Sequence, residues 1–270
     1  MKLIVNVICC GILGYGLILV IFYFFQEKFL FFPGETPFGD CPEMEKRDIR
    51  AENSGGLRYY LQAKPKPDNW ILVFHGNAGN ACDRTYFSDL LKAFNSNLVL
   101  FEYPGYGKDA NTPKESLILE QAHALILHIK GKNPDRLPIY LMGESLGTGV
   151  ATFTASRTDV NGLILISPYT SIARLARHHY PWVPVKYLLK HPFPADIWAG
   201  RTRAPVLLFH GINDDIIPVA FARQQVLNFK GETTLVELPD CGHNDIIGLA
   251  GNRIQKELHD FMSNKEKKKH

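Results

Sequence analysis

LMGESLGTG (141–149) is the stretch on which the reading of this chain turns. It follows an apolar run, LPIYLMG (137–143), and places Ser145 two positions from Gly143 and two from Gly147. A serine at a sharp strand-to-helix turn takes a strained backbone, and its neighbours two residues away must be glycine or equally small. The helix expected from Leu146 brings free backbone N–H groups and a positive dipole end to the same spot. With 22 glycines in 270 residues, the pattern alone does not decide whether Ser145 is a nucleophile or a loop serine. The surrounding chain has to.

Around that stretch, apolar runs alternate with amphipathic ones. LRYYLQA (57–63), WILVFHG (70–76), NLVLFEYPG (97–105), LPIYLMG (137–143), LILIS (163–167), APVLLFHG (204–211) and TTLVELPD (233–240) read as strands. Between them, 82–94, a segment opened by Thr112-Pro113, the run from Leu146, 218–229 and a last stretch near Asp245 read as helices. Near-continuous apolar strands between helices predict an α/β fold, a mostly parallel sheet with helices on both faces. The proline- and aromatic-rich stretch 171–203 is too short for a domain and reads as a small lid or rim. Composition, 46% hydrophobic and 21% charged, is that of a folded chain, and a net charge of +3 gives no case for nucleic acid.

Residues 3–25, LIVNVICCGILGYGLILVIFYFF, carry no charge. As a helix they would extend about 34 Å, enough to cross a hydrocarbon core. A cleavable signal peptide is the competing reading, but the run is long for one and no A-x-A-like site comes after it. The expected organisation is a membrane anchor (1–27), a juxtamembrane connector (28–43) with phenylalanines at the interface, a catalytic domain (44–264) and a basic tail (265–270). Lys2 and the α-amino group before the span, against Lys28 after it, tip the domain towards the non-cytoplasmic side by a single charge. Cys9 and Cys10 fall in the span, and Cys41, Cys82 and Cys241 leave an odd count outside it.

Ligands of open parallel sheets gather beyond the carboxyl ends of the strands. Three groups suited to acyl transfer fall there. Ser145 is the candidate nucleophile, and it needs a base. His243, in CGHND between the last strand and last helix, is the candidate base; His75 and His210, each followed by glycine at a strand end, read as loop props. The acid that orients the base is Asp214 or Asp215 in HGINDDIIP, with the other capping the helix near Pro218. The order Ser145, Asp214, His243 is that of the α/β-hydrolases. The backbone N–H groups of Leu146 and of Asn77, in HGNAGN (75–80), are the candidate oxyanion donors. GYGKDA (105–110) lacks the strand–turn–helix context of a dinucleotide site, and no phosphate-loop or zinc-protease motif occurs, so no cofactor or metal is implied.

Taken together, HGNAGN, FEYPGYG, GESLG, HGINDDIIP and CGHND resemble the membrane-anchored α/β-hydrolase-domain serine hydrolases, relatives of the palmitoyl-protein thioesterases. The resemblance covers nearly the whole chain, including the LFFP stretch after the apolar run. It implies an α/β-hydrolase fold and a Ser145–Asp214–His243 triad, with Gly211, Asp214 and Pro218 on the family's G-x-x-D-x-x-V-P pattern, which favours Asp214 over Asp215. It further implies cleavage of esters or thioesters of lipids or acylated proteins. Pro104 and Cys241 depart from the family pattern without touching the triad.

Overall fold

The computed structural model describes residues 1–266, and most of the basic tail read at 265–270 lies outside the described residues. Eight strands form the central sheet: β1 (Arg50–Ser54), β2 (Leu57–Gln62), β3 (Asn69–Phe74), β4 (Ser96–Phe101), β5 (Ile139–Glu144), β6 (Gly162–Ile166), β7 (Val206–Gly211) and β8 (Thr233–Leu238). Their order is β8-β7-β6-β5-β3-β4-β2-β1. All pairings are parallel except those of β1 with β2 and β2 with β4. The longer helices are α1 (Lys2–Leu30), α2 (Glu115–Gly131), α3 (Leu146–Arg157), α4 (Ile172–His179), α5 (Val219–Asn228) and α6 (Ile246–Glu266).

Strand alternation explains the layering. In β3, Leu72 and Phe74 point into one core with Ile118 and Ile126 of α2 and Val150 of α3. Ile71 and Val73 point into the other, with Phe87, Ile254 and Leu258. A strand buried on both faces has no polar side to alternate with, which is why these runs read as continuous apolar segments.

Local departures from the sequence expectations have physical causes. Thr112-Pro113 does not open α2, which starts at Glu115 after Lys114. Pro113 instead packs on the turn at Gly105, where the backbone φ of +87° and the proline ring leave room for glycine alone. The stretch 82–94 is not one helix. Asn80 and Asp83 form a capping box that fixes a short 3-10 turn, Ala81–Arg84, before the helical turn Tyr86–Leu90. Strand β1 had no sequence signal, since RAENS is polar and lies on the sheet edge.

Helix α1 runs through Leu30, and the residues immediately after it are built into the domain. Phe31 is buried in the core rather than at an interface, and Phe32–Pro33 pairs with Ala78–Gly79 as a two-residue parallel ladder. Cys41 and Cys82 form a disulfide, while Cys241 is a buried free thiol. The odd count outside the apolar run is thereby resolved into one pair and one core residue.

Candidate active site

Ser145, Asp214, His243 and Asn77 each sit beyond the carboxyl end of a strand, and the turn at Ser145 shows why the flanking glycines are required. Ser145 has φ 50° and ψ −119°, between the end of β5 and the first turn of α3. A Cβ on Gly147 would overlap the Phe74 carbonyl group, with its carbon at 2.5 Å, and stand 2.7 Å from the His75 carbonyl oxygen. A Cβ on Gly143 would meet the Gly147 backbone, with its carbonyl carbon at 2.6 Å. Helix α3 therefore enters directly against the end of β3, and the turn has one way to fit. Its register is held by the Ser145 N–H donating to Ile166 O (2.9 Å) and the Thr148 hydroxyl donating to Ser145 O (2.7 Å).

His243 and Asp214 reach this serine from the loops after β8 and β7. His243 Nδ1 lies 2.7 Å from Asp214 Oδ2, and His243 Nε2 lies 3.0 Å from Ser145 Oγ. A carboxylate only accepts hydrogen bonds, so Nδ1 carries the proton and Nε2 of the neutral ring faces the serine hydroxyl as an acceptor. Asp214 is buried. Its Oδ1 accepts from the N–H groups of Ile216 (3.0 Å) and Ile217 (2.7 Å). Burial opposes its ionisation, but hydrogen bonds from His210, from His243 and from the Ile217 N–H outweigh it. They hold the carboxyl well below the ordinary aspartate range.

Asp215, by contrast, points to solvent, and α5 begins after Pro218 with no side-chain cap. The expectation that the second aspartate caps this helix fails for that reason. His210 is buried and donates from Nε2 to Ile217 O (2.7 Å), bracing the Asp214 loop. His75 stacks on Tyr103 with ring centroids 3.9 Å apart. Burial, helped by the Arg84 charge, pushes its pKa down to about 3, so it is a neutral prop and not a base.

The HGNAGN loop lies against the serine. A Cβ on Gly76 would stand 3.6 Å from Ser145 Cβ. The Asn77 side chain is turned away and donates to Leu30 O (2.8 Å), while its carbonyl accepts from Phe32 N–H (2.9 Å) and the Tyr106 hydroxyl (2.7 Å). The Asn77 N–H donates to no protein group among the described residues. Leu146 opens α3, where first-turn N–H groups have no partner in the helix. Its carbonyl accepts from the Tyr169 hydroxyl (3.2 Å).

Sequence reasoning missed several supports of this site. Tyr103 and Tyr106, from FEYPGYG, hydrogen-bond the His75 and Asn77 carbonyls (2.7 Å each). Glu144, beside the serine, accepts from Tyr86 (2.7 Å) and pairs with Arg84 (3.2 Å). The paired aromatics around Pro104 were the available signal for the first; nothing local signalled the second.

Comparison with known proteins agrees with this architecture. Residues 65–196 match the family described as "Serine aminopeptidase, S33". An uncharacterized protein of Mycobacterium tuberculosis is 30% identical over 245 residues, spanning 88% of this chain and 87% of that protein, and a putative alpha/beta hydrolase of Acanthamoeba polyphaga mimivirus is 30% identical over 231 residues, spanning 79% and 82%. Among solved structures, a Pyrococcus furiosus esterase superposes with a TM-score of 0.70 at 14% identity, over 87% of this chain and 97% of its own. A Paleococcus ferrophilus monoacylglycerol lipase does so with a TM-score of 0.60 at 20% identity, over 77% and 99%. These structural likenesses are of fold.

Proposed function

The chain belongs to the α/β-hydrolase family, and from that premise we propose that it is a membrane-anchored serine hydrolase that cleaves carboxylic esters or thioesters through an acyl-enzyme. The observation that carries the reading is the continuous relay from Ser145 Oγ through the His243 ring to Asp214, at 3.0 and 2.7 Å. A serine hydroxyl is a weak nucleophile until a base takes its proton.

In this mechanism Ser145 Oγ attacks the acyl carbon as its proton passes to His243 Nε2. Asp214, kept ionised, stabilises the imidazolium and fixes its orientation. The N–H groups of Asn77 and Leu146 receive the developing oxyanion, a contribution of about 3–4 kcal/mol per donor in such sites. Collapse expels the alcohol or thiol, which takes the proton from His243. Water then attacks the acyl-enzyme with His243 again as base, releasing the acid and restoring the serine.

The anchor is α1. Its 29 residues correspond to about 43 Å of helix, and none of its apolar window is buried in the protein. Retention rather than cleavage is supported by its far end, where Gln26 donates to Leu188 O (3.1 Å) and Leu30 O accepts from Asn77. The Cys41–Cys82 disulfide favours an oxidising compartment for the domain, and so the non-cytoplasmic side.

A second reading, a peptidase or amidase on the same residues, is favoured by the aminopeptidase description of the matching family. The test is fluorophosphonate labelling of the detergent-solubilised chain beside Ser145→Ala. Labelling of the wild type alone is expected, and a folded wild type that stays unlabelled overturns the mechanism. Aminoacyl anilides run against p-nitrophenyl esters and acyl thioesters then separate the two readings.

A further inference from the structure

We propose that the rim segment 172–190 is a second membrane-contact element, which seats Tyr180, Trp182 and Tyr187 in an anionic lipid leaflet beside α1. The proposal rests on α1 being the anchor, and it places the mouth of the hydrolase at the lipid surface.

The rim does not merely lie near α1; it runs down along it. The Tyr15 hydroxyl donates to Trp182 O (2.7 Å). Phe22 packs on both Tyr180 and Trp182, with ring centroids 6.3 and 6.0 Å away. Nearer the domain, Gln26 accepts from Lys190 N–H (2.6 Å). Phe22, on which both rings pack, lies three residues inside the carboxyl end of the uncharged 3–25 run, about 5 Å of helix. If that run is embedded, the Tyr180 and Trp182 rings go in with it, just below the boundary.

The segment is composed for such a place. Tyr180 and Trp182 are each 50% exposed and Tyr187 is 79% exposed, large rings that the protein leaves uncovered. Aromatic residues of this kind favour the boundary between headgroups and acyl chains. Between Ser171 and His191 there are four cations, Arg174, Arg177, Lys186 and Lys190, and no acid. Arg174 and Lys190 pair with Asp196 and Glu27, while Arg177 and Lys186 have no ion pair among the described residues. Free cations flanking exposed rings match an anionic surface.

Unsatisfied peptide groups are costly in lipid, and much of this backbone is paired. The N–H groups of Tyr180, Val183, Val185, Tyr187 and Leu189 donate internally, and Pro181 and Pro184 have none to satisfy, while the Trp182 N–H has no backbone acceptor among the described residues and needs the polar side of the boundary. The rim also reaches the site wall. His179 Nε2 donates to Ile216 O (2.8 Å), and the Ile216 N–H is one of those held by Asp214. Substrate drawn from the leaflet would therefore meet the site on the side of the rim.

The test uses the full chain in bilayers of phosphatidylcholine and phosphatidylserine, with the phosphatidylcholine brominated high on its acyl chains. Trp70 and Trp198 are buried, so Trp182 is the tryptophan the bromines can reach. Loss of most of the Trp182 emission, absent in Trp182→Phe, is the expected result. Leu13→Trp, made in the Trp182→Phe chain, reports α1 separately. Quenching at position 13 with none at Trp182 overturns the rim proposal and leaves the anchor standing. Quenching at neither position removes the anchor reading, and the rim proposal with it.

Discussion

Gly147→Ala tests the geometry of the serine turn with one methyl group. The added Cβ would meet Phe74 C at 2.5 Å, against the ~3.5–4.0 Å of an ordinary carbon contact. The obstacle is the backbone of β3, a central strand paired on both sides. It cannot swing away as a side chain would. The helix must therefore retreat by about 1 Å, and overpacking of this kind costs about 1–3 kcal/mol. The same retreat moves Ser145 and the Leu146 N–H away from the Gly76–Asn77 loop. A misplacement of about 1 Å at a reacting centre costs about 100-fold in rate. The assay pairs thermal unfolding with p-nitrophenyl ester turnover and the fluorophosphonate labelling rate. Gly251→Ala is the matched control. Its Cβ meets only Leu90 Cδ1 at 3.9 Å within α6, so it should stabilise by about 0.5–1 kcal/mol and leave turnover alone. A Gly147→Ala protein with wild-type melting and wild-type labelling would refute the argument that α3 is pressed against β3.

Three further outcomes are expected. Asp214→Asn keeps an acceptor for the Ile217 N–H but favours the wrong His243 tautomer, so turnover at neutral pH should fall by about 10⁴ with folding retained; a loss under ten-fold would remove Asp214 from the mechanism. Burial, only partly offset by the nearby Arg58 charge, pushes the Glu102 carboxyl up to about 8. Between the unfolded value of about 4.3 and that folded value, the unfolded state releases a proton the folded state keeps, so stability is lost as pH rises through this window. Glu102→Gln should flatten that loss, raising Tm more at pH 8 than at pH 5, and equal shifts at both would show the carboxyl to be ionised when folded. Reduction of Cys41–Cys82 reopens a 41-residue separation, which the chain-entropy model values at about 4 kcal/mol. Maleimide counting under denaturing, non-reducing conditions should find three free thiols, Cys9, Cys10 and Cys241, and five would show the pair unformed.

What was legible in the sequence was what short-range chemistry fixes. Five inner strands betrayed themselves because burial on both faces leaves few polar positions, and two half-buried ones, Leu57–Gln62 and Thr233–Leu238, by the apolar residues on their core side; the edge strand RAENS has no such run and did not. Ser145, His243 and Asp214 could be singled out as candidates because each follows a strand and two have special neighbours: small residues around the serine, and a short corner to carry the histidine. Asp214 and Asp215 are adjacent and chemically alike, so position alone left them open. The structure separates them by burial, since Asp214 turns inward to two N–H groups and Asp215 stays in water.

The supports of the site were hidden for a different reason: they join segments far apart in the chain. Arg84 and Glu144 are 60 residues apart, and Cys41 and Cys82 are 41. Neither pair has a spacing that a helix or strand would repeat. The same holds for the join between α1 and the HGNAGN loop, where Asn77 grips Leu30 O through its side chain and Phe32 N–H through its carbonyl. That grip changes how the apolar helix is understood. An apolar helix that only had to cross a membrane would need no fixed join to the domain. This helix ends in residues that hold a candidate oxyanion donor, with Phe31 sunk into the core and Gly34 N–H donating to Gly79 O (3.0 Å). Motion of the helix relative to the domain therefore bears on the loop facing Ser145.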